Sequence, residues 1–171
     1  MSAAADAPAL APGFGAHTFG AFNVARAELP ASCEQMWALL LDRAPWMPGF
    51  AGKATLDGEQ GAAGERAHFS SRGDDGSVHT RLEEVLHLEL HRRMVLRLET
   101  LAEAATTAFV DWRLQPLPAG CLLELNLFWL DLPQPGMDWP ATRALREGYI
   151  AATQAVIEGH LVRLRQALAR P

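Results

Sequence analysis

Residues 140–169 read PATRALREGYIAATQAVIEGHLVRLRQALA. No proline follows Pro140 in this run, and the chain ahead of it reads mostly as strands. About 29 helical residues make a rod of roughly 43 Å. That is longer than a domain of this size needs merely to cover a sheet. Wound as a helix, Leu145, Tyr149, Ala152, Val156, Ile157, Leu161, Leu164 and Leu168 share one wide apolar stripe. Glu147, Gln154, Glu158 and Arg165 fall on the opposite side. Thr153 and His160 interrupt the stripe nearly in line, with Arg146 one turn below. Polar residues in such a stripe suit an enclosed space between a helix and a curved sheet.

The sheet is read upstream. Gly73-Asp74-Asp75-Gly76 is a strong turn signal. A hairpin there sets Arg72 opposite Ser77 and Arg66 opposite Glu83. A turn within residues 88–92 sets Arg81 opposite Glu99, Glu83 opposite Arg97 and Val85 opposite Val95. A turn at Leu117-Pro118-Ala119-Gly120 sets Arg113 opposite Glu124 and Phe109 opposite Phe128. Opposite charges facing across a ladder stabilise it by roughly 0.2–1 kcal/mol per pair. Alternation then assigns an inner face. It comprises Ala67, Phe69 and Ser71; Val78, Thr80, Leu82, Glu84 and Leu86; Met94, Leu96 and Leu98; Ala108, Val110, Trp112 and Leu114; and Leu123, Leu125, Leu127 and Trp129.

The first part of the chain supplies what precedes the meander. Residues 1–16 are rich in Ala, Pro and Gly and are expected to be disordered or loosely attached, leaving one domain over 17–171. Residues 18–29 read as a first strand. Ser32-Cys33-Glu34-Gln35 is a capping box that starts a helix running to about Arg43. Met36, Trp37, Leu40 and Leu41 give that helix an apolar face. Residues 45–50 have room for a single further turn, and a short strand over 52–59 follows. At the other end, Asp138 and Pro140 suit the start of the long helix.

Composition narrows the function. The chain has 171 residues, 49% hydrophobic, which suffices for one domain with a sizeable core. A net charge of −5 and a pI near 5.6 argue against nucleic acid. No apolar run approaches the length of a transmembrane helix, and the N-terminus lacks a basic signal region, so the cytoplasm is expected. Cys33 and Cys121 sit in unrelated contexts without metal-ligand spacing. His68, His79, His87 and His91 fall on the outward file or in a turn. No phosphate-cradling loop or nucleophile motif is present, so neither metal nor cofactor is expected.

Two side chains stand out as candidate acid–base groups. The register above places Glu84 in an apolar file opposite Leu96, where desolvation would raise its pKa. It also brings Glu65 opposite Glu84. His160 lies in the helix stripe, where it could donate to a ligand carbonyl or shuttle a proton. Trp112, Trp129 and Tyr149 on the inner face could stack on a flat ligand.

The segments LPASCEQMWALLLDRAPWMPGF (29–50), LEEVLHLELHRRMVLR (82–97) and DWRLQPLPAGCLLELNLFWL (111–130), running into the last helix, carry a resemblance. In this order the chain resembles the helix-grip fold of the START/Bet v 1-like (SRPBCC) superfamily, in its polyketide cyclase/dehydrase and lipid-transport branch. The resemblance implies an α+β fold. A curved antiparallel sheet of about seven strands would wrap around the long C-terminal helix, with two short helices after the first strand. It also implies a cavity between sheet and helix for a hydrophobic or aromatic small molecule, contacted by Trp112, Trp129, Tyr149, Thr153, Phe69, Leu96, Leu125 and Val156. A cyclase- or dehydratase-like enzyme would use Glu84 and His160 in that cavity. A cochaperone-like module would present the groove to a protein. The expected partner is an apolar small molecule, and the expected state a monomer or homodimer.

Overall fold

The computed structural model describes residues 19–100, 107–131 and 138–170. The expectation for residues 1–16 lies outside them. The elements run β1 (Phe19–Leu29), α1 (Cys33–Leu41), β2 (Phe50–Asp57), β3 (Arg66–Arg72), β4 (Val78–Glu89), β5 (Arg93–Thr100), β6 (Thr107–Leu117), β7 (Gly120–Asp131) and α2 (Trp139–Leu168). Seven strands form one antiparallel sheet in the order β1-β7-β6-β5-β4-β3-β2. The meander from β2 to β7 is extended by β1, which pairs with β7 from Phe19 opposite Asp131 to Leu29 opposite Cys121. This is the helix-grip architecture.

Local signals explain the helix starts. Ser32 Oγ accepts from the Gln35 amide at 3.2 Å, and Gln35 Oε1 accepts from the Ser32 amide at 2.9 Å. Where a second short helix is expected after β1 there is only a hydrogen-bonded turn, in which the Met47 amide donates to the Arg43 carbonyl at 2.8 Å. Asp138 caps α2 by accepting from the Ala141 amide at 2.9 Å. The two free cysteines come together. Cys33 opens α1 and Cys121 lies near the start of β7; burial first, and then the neighbouring Cys33, push the Cys121 thiol up to about 11.

The β6–β7 register is the expected one, with Arg113 opposite Glu124 and Phe109 opposite Phe128. Strand β4 differs by one residue at both of its hairpins. At the β3–β4 turn, Ser77 joins the loop: the Gly73 amide donates to the Ser77 carbonyl at 2.8 Å, and Gly76 takes a φ of 81°. Arg72 therefore opposes Val78, and Arg66 opposes Glu84 rather than Glu83. At the other end, Glu89 opposes Arg93 and Leu88 opposes Met94; a bulge then falls between Val85 and His87. Beyond the bulge Val85 opposes Leu96 and Glu84 opposes Arg97.

The bulge has a simple geometric result. Unbroken alternation from inward Leu88 would have brought Leu86, Glu84, Leu82 and Thr80 to the inner face. One extra residue reverses this, so Val85, Glu83 and Arg81 face inward. Val85 and Glu83 are buried, whereas Leu86 and Val78 are 43% and 55% exposed. The inner positions on β3, β5, β6 and β7 stay as the alternation assigns them, with Phe69, Leu96, Trp112 and Leu125 all buried.

Helix α2 buries Thr153, Ile157, Leu161 and Leu164, while Ala152 of the expected stripe is exposed. Its polar flank docks on β1. Asn23 Nδ2 donates to the Ile150 carbonyl at 2.9 Å and to Gln154 Oε1 at 3.0 Å, and Gln154 Nε2 donates to the Val24 carbonyl at 3.2 Å. Arg165 reaches the Glu28 carbonyl at 3.0 Å. The helix is thus hinged along β1, and its far side is left to face the sheet across a gap.

Candidate functional site

That gap is a cavity of about 320 Å³, at the lower end of the usual range for small-molecule sites. Its wall is apolar over most of its extent. Strands β5, β6 and β7 supply Leu96, Leu98, Val110, Trp112, Leu125, Leu127 and Trp129, and α2 supplies Val156 and Ile157. Val156 lines the cavity and is also 51% exposed, which marks the mouth. The turn after α1 contributes Trp46, Met47 and Pro48. The Trp46 ring is fixed by its Nε1, which donates to the Leu39 carbonyl at 2.6 Å, and it meets Trp112 edge-on at 6.0 Å between centroids.

The other part of the wall is charged: Arg43, Arg81, Glu83 and Arg163, with Ser71 and His160. Alternation puts Arg81 and Glu83 on the same face of β4. Arg43, just past α1, grips Glu83 with two parallel hydrogen bonds of 2.5 and 2.8 Å. Lys53 on β2 approaches Glu83 at 3.5 Å and pairs with Glu65 at 2.9 Å. Glu65 is fully buried and also accepts from Thr55 Oγ1 at 2.9 Å and the Gly61 amide at 2.7 Å. Burial alone would raise the Glu65 pKa, but the bonds from Gly61, Lys53 and Thr55 together outweigh it and hold the group below the usual carboxylate range.

His160 sits at the junction of the two regions. Burial pushes its pKa down to about 4, and the charges of Arg163, Arg81 and Arg43 add to the effect. Its ring is therefore neutral near pH 7. Arg163 Nη2 lies 2.9 Å from His160 Nδ1. A guanidinium can only donate, so Nδ1 accepts and the ring proton sits on Nε2. The imidazole meets Trp46 edge-on at 5.4 Å. Gly159 leaves room beside this pair: a Cβ there would lie 3.2 Å from the Arg163 guanidinium, which would have to shift slightly.

Of the residues singled out in the sequence, Trp112, Trp129, Leu96, Leu125, Val156 and His160 line the cavity. Phe69 does not line it but lies behind the charged end, with Arg43 and Arg81 over its ring at 5.0 and 5.7 Å. Thr153 is buried, and Tyr149 is half-buried; neither is part of the wall. Glu84 requires correction. It faces outward and pairs with Arg97 at 2.8 Å, because the bulge reverses the alternation. Glu65 lies beside Val85, whose amide donates to the Glu65 carbonyl at 2.9 Å, and not opposite Glu84. The sequence reading missed Arg43, Arg81, Glu83 and Arg163. Only Arg163 left a trace: it stands within one turn of His160 on a helix face already marked as unusual.

Comparison with known proteins places this geometry in context. A profile of the polyketide cyclase/dehydrase and lipid transport family matches residues 23–169. No curated protein sequence matches the chain. A protein of unknown function from Staphylococcus aureus superposes with a TM-score of 0.71 at 10% identity, over 88% of this chain and 94% of that one. Ara h 8.0201 superposes with a TM-score of 0.64 at 8% identity, over 89% of this chain and all (100%) of that one. The di-domain ARO/CYC protein StfQ, from the steffimycin biosynthetic pathway, superposes with a TM-score of 0.64 at 14% identity. There the match covers 86% of this chain and 50% of StfQ. At these identities the likeness is one of fold.

Proposed function

The chain belongs to the polyketide cyclase/dehydrase and lipid transport family, and from that premise we propose that it binds a hydrophobic or aromatic small molecule between the sheet and α2. The observation that carries this reading is the cavity itself. It is walled by leucines and by Trp46, Trp112 and Trp129, and it opens beside Val156. Rigid aromatic edges over an apolar floor favour a flat ligand. The ring proton that Arg163 directs to His160 Nε2 gives the ligand a neutral donor.

Acid–base catalysis by Glu84 and His160 loses its carboxylate, since Glu84 is on the outer face. Glu83 is the carboxylate at the cavity, and both its oxygens are held by Arg43. A binding role therefore needs fewer additional assumptions than a proton-transfer role.

Native mass spectrometry of the purified full chain tests the reading. A bound small molecule is expected, released on denaturation and missing from Leu98→Trp, which fills the cavity from β5. If no bound mass is seen, and naphthalene-based probes bind Leu98→Trp as well as the parent, the reading fails.

A further inference from the structure

The charged end of the cavity is rich in donors and short of acceptors. Three arginines stand there against one carboxylate, Glu83, and Arg43 already occupies both its oxygens. Lys53, nearby, is balanced by Glu65. Arg81 rests on the Phe69 ring at 5.7 Å, and no acceptor among the described residues hydrogen-bonds its guanidinium. Arg163 spends Nη2 on His160, while its Nε is buried without a partner. In the apolar wall, Trp129 Nε1 is likewise buried without a partner. Buried donors are nearly always satisfied, and leaving one unmade is costly. Neighbouring like charges in a poorly solvated space repel, and an anion placed among them removes that penalty.

We propose that the cavity selects an amphiphilic carboxylate, with its carboxyl group between Arg81 and Arg163 and its flat apolar body along Trp112 and Leu125. A further acceptor oxygen on the body would meet Trp129 Nε1. The planar guanidinium suits a carboxylate, which can accept two parallel bonds. Glu83 then acts as a positioning residue: it neutralises Arg43 and leaves Arg81 and Arg163 for the ligand. This inference rests on the cavity-binding reading and adds the charge of the ligand to it.

The test is isothermal titration calorimetry on the full chain with 2-naphthoate and its neutral near-isostere 2-acetylnaphthalene. The parent should bind naphthoate at least about tenfold more tightly, since truncating a desolvated charge pair typically costs more than that. Arg81→Gln should remove most of this preference, weakening naphthoate by about tenfold or more and acetylnaphthalene by much less. The parent comparison needs no variant, so it stands even if Arg81→Gln folds poorly. Equal binding of both probes by the parent would overturn the anion proposal and leave the cavity reading intact. Binding of neither would overturn both.

Discussion

Glu83 and Glu84 are the same side chain one residue apart, and they have opposite environments. Glu83 is buried and held by Arg43, while Glu84 is partly exposed and pairs with Arg97. Removing one partner of a buried pair leaves an uncompensated charge, at a cost of about 3–5 kcal/mol. A surface pair contributes about 0–1 kcal/mol. Urea denaturation should therefore show Glu83→Gln strongly destabilised and Glu84→Gln close to the parent; the reverse order would contradict the register of β4. His160 gives a pH signature. Its folded pKa of about 4 lies below the ordinary 6.5, so between these values the unfolded chain holds the proton and the folded chain does not. Stability is full above that window and falls on acidification through it. Near pH 5 the loss should be about 2 kcal/mol. His160→Gln should flatten the fall, as urea midpoints at neutral pH and near pH 5 would show. The sequence marked His160 because a polar residue breaks an apolar stripe. It could not mark Arg81 or Glu83, which look like ordinary members of an outward charged file.

At the scale of elements, the hairpin from β6 to β7 and both helix starts were legible because their signals are local. A proline-glycine turn fixes one register, and a capping residue fixes each helix entry. Strand β4 was not legible in the same way. Opposite charges across its ladders were real clues, but Glu83 and Glu84 satisfy them equally well in two registers. The difference lies in a five-residue turn and a single bulge, which depend on how the sheet curves. Helix α2 carries a separate prediction. Gly148 is exposed, and a Cβ there would meet nothing within 4 Å. Gly148→Ala should stabilise the protein by about 0.4–1 kcal/mol, through helix propensity and the unfolded chain. A thermal melt would show a higher Tm, and an unchanged naphthoate affinity would show that the cavity is undisturbed.

For the whole molecule, a ligand in the cavity would be coupled to stability, because the wall is made from α2, the turn after α1 and five strands at once. A ligand that binds only the folded chain should add about 2.7 kcal/mol at a concentration one hundred times its Kd. Thermal melts with 2-naphthoate should show a concentration-dependent rise in Tm that Leu98→Trp abolishes. The fold itself sets an order in time. Strand β1 comes early in the chain, yet its ladder partner is β7 and the helix lying on it is α2. During synthesis β1 therefore waits, unpaired, for more than half of the chain to be made. Contacts so far apart in sequence are slow to form, because the loop between them must close first. The cavity closes only when α2 returns to β1, so the proposed site is the last part of the fold to form.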